Sequence, residues 1–159
     1  MKKLMALLLT IIMAAALLTG CGDPVFDDFE NYLNVEMTEI NANYDIIRAE
    51  TGTWSEIEDY DQLAASLSEV LIPTVTDSLA KLEDVAPQTD EVKAIKDKCV
   101  ATMQAYKEGF ETVLAGLQEV DEDKLLVGSE KIEEALGLLD EYNAALEELA
   151  AEVGAQIEY

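Results

Sequence analysis

The chain has 159 residues with 34 acidic and 10 basic side chains, a net charge of −24 and no histidine. That balance excludes a phosphate-backbone binder, which needs a cationic face, and the lack of histidine removes the commonest acid/base catalyst and transition-metal ligand. Half of the residues are hydrophobic and they recur periodically, so the acidity marks a folded body and not a disordered tail.

The first segment is an address. Lys2 and Lys3 precede an uncharged apolar run, Leu4 to Leu18, which leads into Leu18-Thr19-Gly20-Cys21. This order resembles the secretion signal of bacterial lipoproteins. The resemblance covers the first twenty-one residues. It implies that a dedicated peptidase reaches the backbone beside the small pair Thr19-Gly20, that the Cys21 thiol takes a diacylglycerol, and that residues 1–20 are removed. The stretch from Leu4 to Gly22 is also long enough to span a bilayer as an uncleaved anchor, and both readings put the remainder outside the cytoplasm. Loss of Lys2 and Lys3 with the leader takes the net charge from −24 to −26. Residues 21–23 form a lipidated cysteine with a short linker. Acyl chains make the membrane the expected partner, at the cell membrane or, since Gly22 and not aspartate follows Cys21, the outer membrane.

Residues 24–159 are expected to be all-α, a four-helix bundle of antiparallel up-down topology, since no run alternates strictly and prolines number three. Asp23-Pro24 opens the first helix, about 24–51, with Asp27 and Asp28 favourable near its positive end. Its stripe is Phe26, Phe29, Leu33, Met37, Ile40, Tyr44 and Ile47, and Gly52 should end it as a left-handed cap. A capping box, Thr53 with Glu56 or Ser55 with Glu58, starts the second helix, about 54–86, kinked near Pro73. Ile57, Tyr60, Leu63, Leu67, Leu71, Leu79, Leu82 and Val85 form its inner face.

Thr89 caps the third helix, about 89–120, whose stripe runs Val92, Ile95, Cys99, Met103, Tyr106, Phe110, Val113, Leu117, Val120. The fourth, about 122–157, follows an acidic turn and buries Leu125, Ile132, Leu136, Leu139, Tyr142, Leu146, Leu149, Val153 and Ile157. With Cys21 acylated, Cys99 has no disulfide partner and reads as a core residue without an activating base.

Function is less legible. The end of the bundle away from Cys21 carries the single tryptophan, Trp54, with Glu56, Glu58 and Asp59 from one helix start and Asp121, Glu122 and Asp123 from another. This tip is the candidate surface for a protein partner in the cell envelope, against the plainer view that acids favour helix N-termini and Trp54 lids the core. Asp121-Glu122-Asp123 lacks the spaced ligands and turning glycine of a calcium loop, so no specific metal and no cofactor are expected. Glu36, Asn43, Asn143, Tyr44, Tyr106 and Tyr142 outline a polar pocket for a small solute, or tyrosines that pack their rings. Lys81, Lys93, Lys96 and Lys98 fall on the membrane-proximal part. The mature part looks like small helical lipoproteins of unassigned activity. The expectation is a non-enzymatic, membrane-tethered interaction or accessory module; the alternative is a lipoprotein that holds a small solute or cation for a transporter or sensor.

Overall fold

A computed structural model describes residues 22–157 apart from 55, 56 and 58. Among the described residues the secondary structure is entirely helical: α1 (Pro24–Asn31), α2 (Thr38–Gly52), α3 (Tyr60–Ala65), α4 (Ile72–Asp84), α5 (Asp90–Glu119) and α6 (Glu122–Val153). The opening is the one the sequence implies. Asp23 is extended, its carboxylate accepts from the Val25 N–H at 2.9 Å, and Pro24 occupies the first helical position, where its missing donor is no loss.

A π-helical turn, Tyr32–Glu36, joins α1 to α2, the Met37 N–H donating to the Tyr32 carbonyl five residues back at 2.9 Å. A second, Ser66–Leu71, joins α3 to α4 directly before Pro73. The ring of Pro73 would collide with the carbonyl four residues earlier in an unbroken α-helix. The wider π turn gives it room, and helix continues to Asp84. The first stripe is buried at every expected position from Phe26 to Ile47, and Tyr32 joins it at 0 % exposure because the extra residue of the π turn rotates it inward.

Several terminal details differ from the sequence reading. Gly52 is an ordinary helical residue and Thr53, also right-handed, is the cap. α3 starts at Tyr60 with Asp59 as its N-cap, the Asp59 carboxylate accepting from the Asp61 N–H at 2.9 Å, while the expected capping boxes, Thr53 with Glu56 and Ser55 with Glu58, involve residues outside the described ones. Tyr60, expected inside, is therefore at a helix start and exposed. Val75, in the turn after Pro73, is buried instead. α6 stops at Val153 because Gly154 takes a left-handed conformation, φ 73°, which a residue without Cβ adopts freely, and the Ala155 N–H returns to the Ala150 carbonyl. Ile157 lies past the helix end.

Thr89 does not cap α5 with its own side chain. That task falls to Asp28, sixty residues earlier in the chain and only 8 % exposed, whose carboxylate accepts from the Gln88 N–H at 3.0 Å, the Thr89 N–H at 2.8 Å and the Thr89 hydroxyl at 2.6 Å. The carboxylate thus ties α1 to the start of α5 and meets the positive end of that helix.

α5 and α6 are the longest helices and pack at unusually close range. Three glycines set the separation. A Cβ on Gly128 would stand 2.7 Å from the Val113 backbone nitrogen, one on Gly109 2.7 Å from Ile132 Cγ1, and one on Gly116 2.9 Å from the Leu125 nitrogen. Val120 ends α5 in the left-handed region, φ 55°, with the Asp121 N–H bonded to the Gly116 carbonyl at 2.9 Å. Expected in the core, Val120 is 89 % exposed. A β-branched residue in this conformation pushes its Cβ against the following carbonyl. Val120→Gly should therefore raise stability by about 1 kcal/mol, read as a higher midpoint in thermal or urea unfolding. An unchanged or lower midpoint would show that the valine is not strained.

Candidate functional site

Cys21, Glu56 and Glu58, three of the residues singled out from the sequence, lie outside the described residues. Trp54 is folded back: its ring is half-buried, meets Phe110 edge-on with centroids 5.9 Å apart, and its Nε1–H donates to the Ser66 hydroxyl at 3.1 Å. Trp54 therefore packs against the core. Asp59 and Asp121 are spent as N-caps, Asp121 accepting from the Lys124 N–H at 3.1 Å. Glu122 and Asp123 remain exposed in the first turn of α6.

Phe110, on which Trp54 sits, precedes the end of α5 by nine residues, or about 14 Å of helix at 1.5 Å per residue. The last turns of α5 and the first of α6 form a hairpin, here called the prong, and α3 also packs on α5. Inside it Gly116 faces Leu125 and Gly128 faces Val113. Outside it stand Val120 at 89 %, Leu126 at 60 % and Val127 at 45 % exposure. Sequence reasoning missed this set because it assigned Val120 to the core.

The polar pocket outlined from the sequence resolves into two parts. On the surface, Asn43 donates its amide to Asp77 at 2.8 Å and to Ser78 at 3.1 Å, while Lys81 bridges Asp77 and Glu39, so these groups bind α2 to α4. Glu36 is half-buried on the π turn and Asn143 half-buried on α6. In the core, Tyr44, Tyr106 and Tyr142 are joined by Tyr32 and Cys99, none more than 4 % exposed. The Tyr32 and Tyr142 hydroxyls stand 3.3 Å apart. Cys99 lies against the Tyr44 and Tyr142 hydroxyls, and the Tyr106 hydroxyl is buried without a hydrogen-bond partner. Burial pushes the Cys99 thiol up to about 12, against the lowering effect of the two tyrosine hydroxyls, and holds all four phenols well above their usual range. At neutral pH the cluster is a set of uncharged donors, and its thiol is not a nucleophile.

The lysines that the sequence reading set toward the membrane are also engaged within the fold: Lys93 with Asp90 at 3.2 Å, Lys98 with Glu141 at 3.3 Å, and Lys96 with the Val85 carbonyl. A surface recess of about 350 Å³ on the prong's flank is lined by Glu108, Glu111, Thr112, Ala115, Lys124 and Lys131. Its charges are paired, Lys131 with Glu108 at 2.6 Å, Lys124 with Glu119, and Glu111 with Lys107 at 4.0 Å. Among the described residues no three cysteine or carboxylate side chains are grouped to hold a metal ion, and no helix is long and apolar enough to cross a membrane. Comparison with known proteins finds no match: neither a family model, nor a curated protein, nor a solved structure corresponds to this chain.

Proposed function

We propose that this chain is an extracytoplasmic bacterial lipoprotein whose body, an antiparallel up-down four-helix bundle of residues 24–159, acts without catalysis as an acidic interaction or accessory module of the cell envelope. The reading is carried by Leu18-Thr19-Gly20-Cys21 at the end of an apolar run. Removal of residues 1–20 and acylation of Cys21 would leave Gly22 and Asp23 before the first helix at Pro24. Three extended residues reach about 10 Å, so the tether holds α1 close to the lipid surface. Asp28 then passes that constraint to the start of α5 through its hydrogen bonds to Gln88 and Thr89. The prong at the α5–α6 turn points the other way.

The interaction reading is supported by where polar groups are spent. Asn43, Asp59, Asp121 and Trp54 are occupied in holding the fold, while exposed carboxylates and aliphatic side chains meet at the prong. Solute or cation capture draws support from the negative field alone.

Mass spectrometry of the protein extracted from membranes tests the tether. The expected mature N-terminus is Cys21 carrying diacylglycerol, and Cys21→Ser should leave the leader uncut and the acyl mass absent. Recovery of an intact Met1 end without acylation, or a Cys21→Ser variant processed like the parent, sinks the reading.

A further inference from the structure

The exposed apolar residues of the prong form a pattern that folding does not require. Val120 sits at the apex with φ 55°, a conformation costly for a β-branched residue, and is 89 % exposed, so the fold gains no packing in return. Leu126 and Val127 follow within the first two turns of α6, on the side away from Gly116 and Val113. These three are half of the large hydrophobic side chains exposed among the described residues. The close approach of α5 and α6 at Gly109, Gly116 and Gly128 packs the two helices of the hairpin tightly against each other.

Charge states what would receive it. Around the apex stand Glu119, Asp121, Glu122 and Asp123, and Glu130 lies one turn below Leu126 and Val127. The two lysines of this region are compensated within the hairpin, Lys124 by Glu119 and Lys131 by Glu108, so Glu122, Asp123 and Glu130 are the charges offered outward. We infer that the α5–α6 prong docks into a partner protein through Val120, Leu126 and Val127, in an apolar recess rimmed by lysine or arginine. An apolar anchor inside a ring of complementary charge is the arrangement by which small interfaces gain both affinity and rapid encounter. This rests on the interaction-module reading above and narrows it to one surface and one partner chemistry.

A photo-crosslinking residue, p-benzoylphenylalanine, placed at Leu126 in the full chain in intact cells tests the assignment. Val35 and Ile46, 66 % and 44 % exposed on the first helical stretch, serve as control positions of equal hydrophobic character. The expected result is one adduct at Leu126, about tenfold above the controls, whose crosslinked segment carries more lysine and arginine than acid. Val120→Gly in the same background should relieve the backbone yet lower the adduct about tenfold, which separates contact from stability. Equal yields at Leu126 and Val35, no adduct at Leu126, an acidic or neutral crosslinked segment, or an adduct unmoved by Val120→Gly would each overturn the proposal. Acylation of Cys21 is read from the same cells, so loss of the tether registers separately from loss of the contact.

Discussion

Gly128→Ala should destabilise the protein by about 2–3 kcal/mol, among the largest effects expected of a single methyl group here. The added carbon would stand 2.6 Å from Val113 Cγ2, 2.7 Å from the Val113 nitrogen and 3.2 Å from the Gly109 carbonyl oxygen. Two of these are backbone atoms inside α5, so no rotamer change relieves the clash and the two longest helices must move apart. For a body of this length the midpoint should fall by roughly 10 °C. Gly137→Ala is the control. It lies in the same helix with nothing within 4 Å of the added carbon, and should gain up to about 1 kcal/mol from helix propensity alone. Similar effects at the two positions would show that close approach of the helices is not what Gly128 provides.

Asp28→Ala should cost about 3 kcal/mol, because three donors at the start of α5 lose the charged acceptor that the buried Asp28 provides. Asp28→Asn should cost less, since a carbonyl oxygen still accepts, though it has no charge to set against the helix dipole. The pH dependence has a definite sign. Burial works to raise the Asp28 pKa; the Thr89 hydroxyl, the Gln88 and Thr89 N–H groups and the Lys93 charge work to lower it, and the balance lies below the ordinary value of 3.8. A carboxyl with a depressed folded-state pKa contributes fully above the unfolded value and loses that contribution as pH falls through the folded one. The parent should therefore weaken below about pH 4, and the gap between parent and Asp28→Asn should narrow there. Urea midpoints measured at pH 7 and pH 3 check this; a gap that stays constant between them would refute the role given to the charge.

Local information was enough wherever the helical period ran unbroken. The first stripe and the third as far as Val113 are buried as their spacing implied. Reading failed where a single residue was inserted or a partner was distant. Tyr32 was missed because it lies in a π turn, whose extra residue widens the buried face, whereas Val75, four residues after Leu71 and four before Leu79, stood in register with the expected stripe and was passed over. The sequence offered Thr53 or Ser55 as the start of the second stretch, and α3 begins at Tyr60 with Asp59 as its cap. Asp28 could not be told from an ordinary first-turn acid, since its donors are sixty residues away. Gly109 and Gly116, seven apart on the face of α5 that carries Val113, were a signal that went unread.

For the proposed site, the acidic apex was legible and its apolar part was not. Composition placed Asp121, Glu122 and Asp123 at an exposed turn. Periodicity assigned Val120 to the core because the stripe reaches it in register, and only the left-handed cap reveals that the helix has already ended.

Trp54 is the sole indole in the sequence, and it reports on one place. Its N–H is bonded to Ser66 and its edge rests on Phe110, so its emission wavelength is set by whether this connection of Trp54 to the core is kept. Loosening of that connection would shift the emission to the red before any loss of helical circular dichroism, whereas separation of α5 from α6 at the prong would leave it unchanged until the whole body opened. The chain thus carries an intrinsic optical probe that distinguishes fraying at one connection from events at the other, without a label.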